Sequence, residues 1–125
     1  MDIPAGPCSG AIHAFAGTPS DSRLTGTHHG NPCAVHIDPI EKKPFYHFLP
    51  TISTFSLATA GCNLRCLYCQ NWSISQVPPE QTQNSDLPPE KVIDIAELNE
   101  APVIAYTYSE PTIFYEYMLA TARLA

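Results

Sequence analysis

Cys62, Cys66 and Cys69 fall within eight residues, in the run Ala60-Gly61-Cys62-Asn63-Leu64-Arg65-Cys66-Leu67-Tyr68-Cys69-Gln70-Asn71-Trp72. Three thiols at C-x3-C-x2-C spacing on one short loop can converge on a single inorganic centre. A [4Fe–4S] cube is normally held by four cysteine sulfurs, so a three-cysteine loop leaves one iron open. An open iron can bind a ligand and pass it an electron, which a fully ligated cluster cannot do. The remaining segments read as supports for this loop.

Five cysteines is an odd number, and three of them lie too close together to staple long loops. A reducing compartment, the cytoplasm, suits them. At 125 residues and 44% hydrophobic content, the chain can build one small core but not a complete enzyme barrel. Charged residues make up 14%, against about a quarter in ordinary globular chains, and 13 prolines predict long irregular segments. The net charge is −6, and Arg23, Lys42, Lys43, Arg65, Lys91 and Arg123 are scattered apart from one pair. Such a surface does not attract nucleic acid. No run of about 18 apolar residues is present to cross a membrane, and no signal-peptide pattern opens the chain.

Residues 1–30 are rich in Gly, Ser, Thr, Pro and His and carry no helical or strand period, so they read as a flexible leader. Neither Cys8 nor the pair His28-His29 is assigned a role. Ala34–Ile37 alternates as a short strand that Pro39 ends. Between Pro44 and Pro50, the rings of Phe45, Tyr46 and Phe48 are expected to pack on the core. His47 has a side chain suited to proton donation near neutral pH, but no neighbour in sequence gives it that role.

Thr54–Thr59 alternates in a β-rich composition and predicts a strand ending near Ala60, with Gly61 allowing a sharp exit into the cysteine loop. After a long connection anchored by Trp72 and Ile74, residues 87–99 show helix grammar. Asp86 is the expected cap, prolines occupy the first turn, and Val92, Ile95, Ala96 and Leu98 or Asn99 share a face. Residues 102–108 predict a strand buried on both faces. Residues 112–125 predict a second helix, with Ile113, Tyr117, Ala120 and Leu124 in line.

Strand, helix, strand, helix is the order of an α/β fold with a parallel sheet, whose strand-end loops leave from one edge. The cysteine loop and Ser109-Glu110 therefore open on the same edge. Glu110 is a candidate partner for a cationic group on the ligand of the open iron, and equally a carboxylate that complements the start of the second helix.

Cys62-x3-Cys66-x-Tyr68-Cys69 resembles the signature loop of radical S-adenosylmethionine enzymes. The flanking text is more specific: residues 38–50 (Asp-Pro-Ile-Glu-Lys-Lys-Pro-Phe-Tyr-His-Phe-Leu-Pro), Thr59–Asn63, Cys69–Trp72 and residues 104–117. Together they resemble the AmmeMemoRadiSam-system branch, similar to pyruvate formate-lyase activating enzyme, over about residues 31–125.

The resemblance implies a [4Fe–4S] cluster on Cys62, Cys66 and Cys69, with S-adenosylmethionine chelated to the fourth iron. One-electron cleavage of its C–S bond yields a 5′-deoxyadenosyl radical that abstracts hydrogen from a substrate. A flavodoxin- or ferredoxin-type donor supplies the electron. Tyr68 is implied to lie against the adenine. Ser109 and Glu110 are implied to meet the methionine amino group where activating enzymes carry Gly-Gly-Glu, with serine replacing a glycine here.

Family members are partial (βα)6 barrels, so residues 31–125 are expected to be the N-terminal portion of the core domain, its first βα units, inactive as an isolated fragment. Three other readings use the same cysteines. They are an inactive truncation that keeps the motif, a zinc-binding structural module completed by Cys33 or a histidine, and a Cys66-x-x-Cys69 dithiol. Zinc sites usually split their ligands into two pairs, and a dithiol leaves Cys62 unexplained.

Overall fold

The computed structural model describes residues 29–125, so Cys8, His28 and nearly all of the expected leader lie outside the described residues. Three strands form one sheet in the order β1-β2-β3: β1 (Ala34–Pro39), β2 (Ser53–Ala58) and β3 (Val103–Tyr106). β2 and β3 run parallel, pairing Thr54 with Val103 through Leu57 with Tyr106. β1 runs antiparallel to β2, from Ala34 opposite Ala58 to Pro39 opposite Ser53. The α/β class expected from the element order is the class observed. β1 extends two residues beyond the predicted Ala34–Ile37 and takes an edge, where a terminal proline without an N–H costs the ladder little.

The cysteine loop leads into a short helix, α1 (Trp72–Ser75), followed by a 3₁₀ turn at Pro79–Gln81 and then α2 (Pro89–Leu98). Asp86 does not cap α2. Pro88 occupies the cap position, Pro89 starts the helix, and the Asp86 carboxylate pairs with Lys91 at 2.9 Å. The prolines preset the first turn and, lacking N–H groups, leave a capping side chain fewer donors to satisfy. Val92 and Ala96 are buried as predicted, but Leu98 is 83% exposed. The helix closes just beyond it, with Ala101 N–H bonded to the Ala96 carbonyl and Glu100 N–H to that of Glu97.

After β3 the chain makes a 3₁₀ turn at Pro111–Phe114 and continues as α3 (Tyr115–Leu124). The buried stripe is Phe114, Tyr117 and Thr121, while Leu124 is half exposed. A 3₁₀ start winds three residues per turn, which rotates the stripe away from the expected Ile113, Ala120 and Leu124.

One sheet face carries the core. Phe55 and Leu57 pack with Leu87, Val92, Ala96, Ala101, Phe114 and Tyr117, and Ile104 and Tyr106 of β3 join them. Fully burying one such side chain contributes about 1.5–3 kcal/mol. The Tyr117 hydroxyl, inside this cluster, donates to the Leu87 carbonyl and fastens α3 to the segment entering α2. Burial raises the Tyr117 hydroxyl well above its usual range, so the phenol stays a donor. Thr54 and Ser56, on alternate positions of β2, are also fully buried.

β3 is half-buried along its length rather than closed on both faces, because it is the free edge of the sheet. The rings of Phe45, Tyr46 and Phe48 stand 55–62% exposed and do not pack on the core. Only Ile40, in the preceding turn, enters the interior, and Phe45 and Phe48 meet each other edge-on at 6.4 Å. Among the described residues, no helix is long and apolar enough to cross a membrane.

Candidate metal and cofactor site

The cysteine loop leaves the carboxyl end of β2 through Gly61, whose φ of +86° takes the left-handed backbone a side chain would resist. Its base is pinned, with Gly61 N–H bonded to the Ile74 carbonyl at 2.8 Å and the Gln76 side-chain amide to the Leu64 carbonyl at 2.9 Å. α1 therefore clamps the loop from its far side. Within it, the Cys69 N–H meets the Cys66 carbonyl at 3.2 Å in a tight turn. The tip points to solvent: Leu67 is 97% and Tyr68 91% exposed.

The three thiols have different surroundings. Leu64 N–H donates to Cys62 Sγ at 3.4 Å. Cys69 Sγ lies 3.3 Å from the buried Ser75 hydroxyl, and Cys66 is exposed. Among the described residues, no three His, Cys, Asp or Glu side chains converge closely enough to grip a metal. Bare thiols have no reason to crowd together, and ligands of this kind are gathered by the ion they bind. The donor set nonetheless fits a cluster. Three sulfurs share one clamped loop, and one of them already accepts an N–H. Cys33, just before β1, donates its N–H to the Ala58 carbonyl at 2.9 Å, and burial raises its thiol pKa.

The second strand end is joined to the first. Ser109 Oγ donates to the Thr59 carbonyl at 3.0 Å, so the Ser109–Glu110 corner rests on the end of β2. Glu110 Oε1 accepts from Thr112 N–H at 3.2 Å, which is the helix-start role expected as one of its two possibilities. Among the described residues, no hydrogen bond reaches its second carboxylate oxygen. The shared edge expected from the parallel order is thus observed, with Ser109 and Glu110 half-buried and Tyr68 projecting from the loop tip. Trp72 is 68% exposed and is not an anchor, whereas Ile74, the other expected anchor, holds α1 through its carbonyl, with Ser75 buried beside it.

Sequence reading missed a network beside this corner. Asn71 Nδ2 donates to the Tyr108 carbonyl at 3.1 Å, the Tyr108 hydroxyl donates to Asp38 Oδ2 at 2.9 Å, and Lys43 reaches the same oxygen at 3.0 Å. Apart from Asp38 and Lys43, which are five positions apart, these residues are far from one another in sequence, and no local pattern marks the network.

The sequence profile of the radical SAM superfamily matches residues 56–125, from β2 through α3. The chain belongs to the radical SAM superfamily. An uncharacterized protein of the archaeon Methanocaldococcus jannaschii is 50% identical over 97 residues, 78% of this chain and 29% of that protein. The chain thus spans under a third of that relative's length. No solved structure matches it.

Proposed function

We propose that this chain carries the cluster-binding part of a radical SAM enzyme of the AmmeMemoRadiSam-system branch, similar to pyruvate formate-lyase activating enzyme. The observation that carries the reading is the clamped C-x3-C-x2-C loop at the carboxyl end of β2, with the Ser109–Glu110 corner hydrogen-bonded to the same strand end. Cys62, Cys66 and Cys69 would hold a [4Fe–4S] cluster and leave one iron for S-adenosylmethionine. When bound, that pair supplies one-electron cleavage of a sulfonium carbon–sulfur bond and, through it, hydrogen abstraction from a substrate.

The chain's own residues bind and orient. Leu64 N–H lends a donor to the Cys62 sulfur. Tyr68, at the exposed tip, is free to turn its ring onto an adenine face. The other oxygen of Glu110 would accept from the methionine ammonium, while Oε1 keeps the corner in place through Thr112. The exposed tip also lets a flavodoxin- or ferredoxin-type donor approach in a reducing cytoplasm. Further βα units, in the longer protein that the relative represents, would pair with the free edge of β3 and complete the pocket. The spacing favours iron over zinc, since structural zinc sites usually split their ligands into two separated pairs and here all three thiols lie on one loop.

The test is anaerobic reconstitution with iron and sulfide, followed by metal analysis. About four irons per chain are expected for the wild type and a near-complete loss in Cys66→Ala, because two thiolates hold a cube poorly. Stoichiometric zinc in place of iron, or a full cluster in Cys66→Ala, contradicts the assignment.

A further inference from the structure

We infer that Tyr108 is a positioning residue that sets the Ser109–Glu110 corner against the cysteine loop and thereby governs S-adenosylmethionine affinity. This rests on the functional reading above. Tyr108 has φ +69°, a backbone state that a bulky side chain adopts only when its surroundings over-determine it. Four groups do so here. Its hydroxyl donates to Asp38 Oδ2 at 2.9 Å, and its ring meets His36 edge-on at 5.7 Å. Lys43 Nζ lies 4.9 Å from the ring centroid and 3.0 Å from the same Asp38 oxygen. The fourth group is on the other side of the site: Asn71, two residues beyond Cys69, donates to the Tyr108 carbonyl at 3.1 Å.

The left-handed turn at Tyr108 is what gives this contact its effect. It lets the side chain lie back toward β1 while the carbonyl meets the cysteine loop and the chain continues into Ser109, which is bonded to the end of β2. One residue therefore links β1, the cysteine loop and the cofactor corner. The Asn71 bond goes to the backbone carbonyl that this turn presents, and the tyrosine side chain holds the turn in place through its hydroxyl bond to Asp38 and its ring contacts with His36 and Lys43.

Two measurements test this. The first uses the 125-residue chain without cofactor and follows amide hydrogen exchange in Tyr108→Phe and Asn71→Ala. Both variants are expected to raise exchange about tenfold at Ser109 and at Gly61 together, with the β2 amides unchanged, the scale of one lost hydrogen bond to a charged or loop-fixing group. Faster exchange at Ser109 with none at Gly61 would make the contact local and overturn the inference.

The second uses the reconstituted chain and titrates S-adenosylmethionine against the EPR spectrum of the reduced cluster. Tyr108→Phe is expected to weaken binding about tenfold at unchanged iron content, and Lys43→Arg, which keeps a cation over the ring, to bind nearly as the wild type does. Unchanged affinity in Tyr108→Phe, or iron lost in proportion to affinity, overturns it. A wild-type spectrum indifferent to S-adenosylmethionine would instead overturn the functional reading and the affinity half of this inference, leaving the exchange result to decide the coupling.

Discussion

Asp38 shows how one side chain can be over-supplied with partners. Lys42 and Lys43 both approach its carboxylate, at 2.9 and 3.0 Å, and Tyr108 adds a hydroxyl donor. Lys42 first, then Lys43 and Tyr108, hold the carboxyl well below its ordinary value of 3.8, against the opposing effect of burial. Lys42 is largely in solvent, so salt screens its share, whereas the Lys43 pair is mostly buried and keeps its strength. Because the folded pKa is depressed, the stabilisation is present above about pH 4 and is lost as pH falls below it. Urea unfolding at a series of pH values should show the wild type more stable than Asp38→Asn at neutrality, with the two converging toward pH 2. Parallel curves would remove Asp38 from the acid response.

At the scale of elements, α2 illustrates what sequence reading captures and where it stops. Its span, its proline start and its Val92–Ala96 face were all legible, because local periodicity and φ restriction are local properties. Its closure was not. Glu100 sits left-handed at φ +51° while Ala101 and Glu100 N–H groups return to the Ala96 and Glu97 carbonyls. Glycine usually fills that position, and no glycine marks it here. Glu100→Gly should therefore raise stability by roughly 0.5–1 kcal/mol, seen as a higher melting temperature, since an L-residue pays for the left-handed state. A lower melting temperature would mean that the glutamate side chain does more than end the helix. α3 and the Phe45–Phe48 segment teach the same point from the other side. A 3₁₀ start shifted the buried stripe, and aromatic composition alone did not draw exposed rings inward.

At the scale of the molecule, the parallel pair β2–β3 places the cysteine loop and the Ser109–Glu110 corner on one edge, as the element order requires. That juxtaposition was legible because topology follows from order. The bonds that fix it were not. Asn71 to Tyr108, Tyr108 to Asp38 and Ser109 to Thr59 each span at least 37 residues, and such pairings appear only once the chain is folded. β1 protects one edge of β2, whereas β3 is free along its other side. There an apolar groove of about 690 Å³ runs between Ile93, Ala96, Ile104 and Ala122. The site thus stands at the exposed margin of the sheet, with its ligand loop clamped at the base and open at the tip.

The central claim is that this loop holds a cluster with one iron available to S-adenosylmethionine, and EPR of the anaerobically reconstituted, reduced chain tests it most directly. The account predicts a [4Fe–4S]⁺ signal whose shape changes when S-adenosylmethionine is added. A cluster signal that the cofactor leaves unchanged, or no cluster at all, would contradict it.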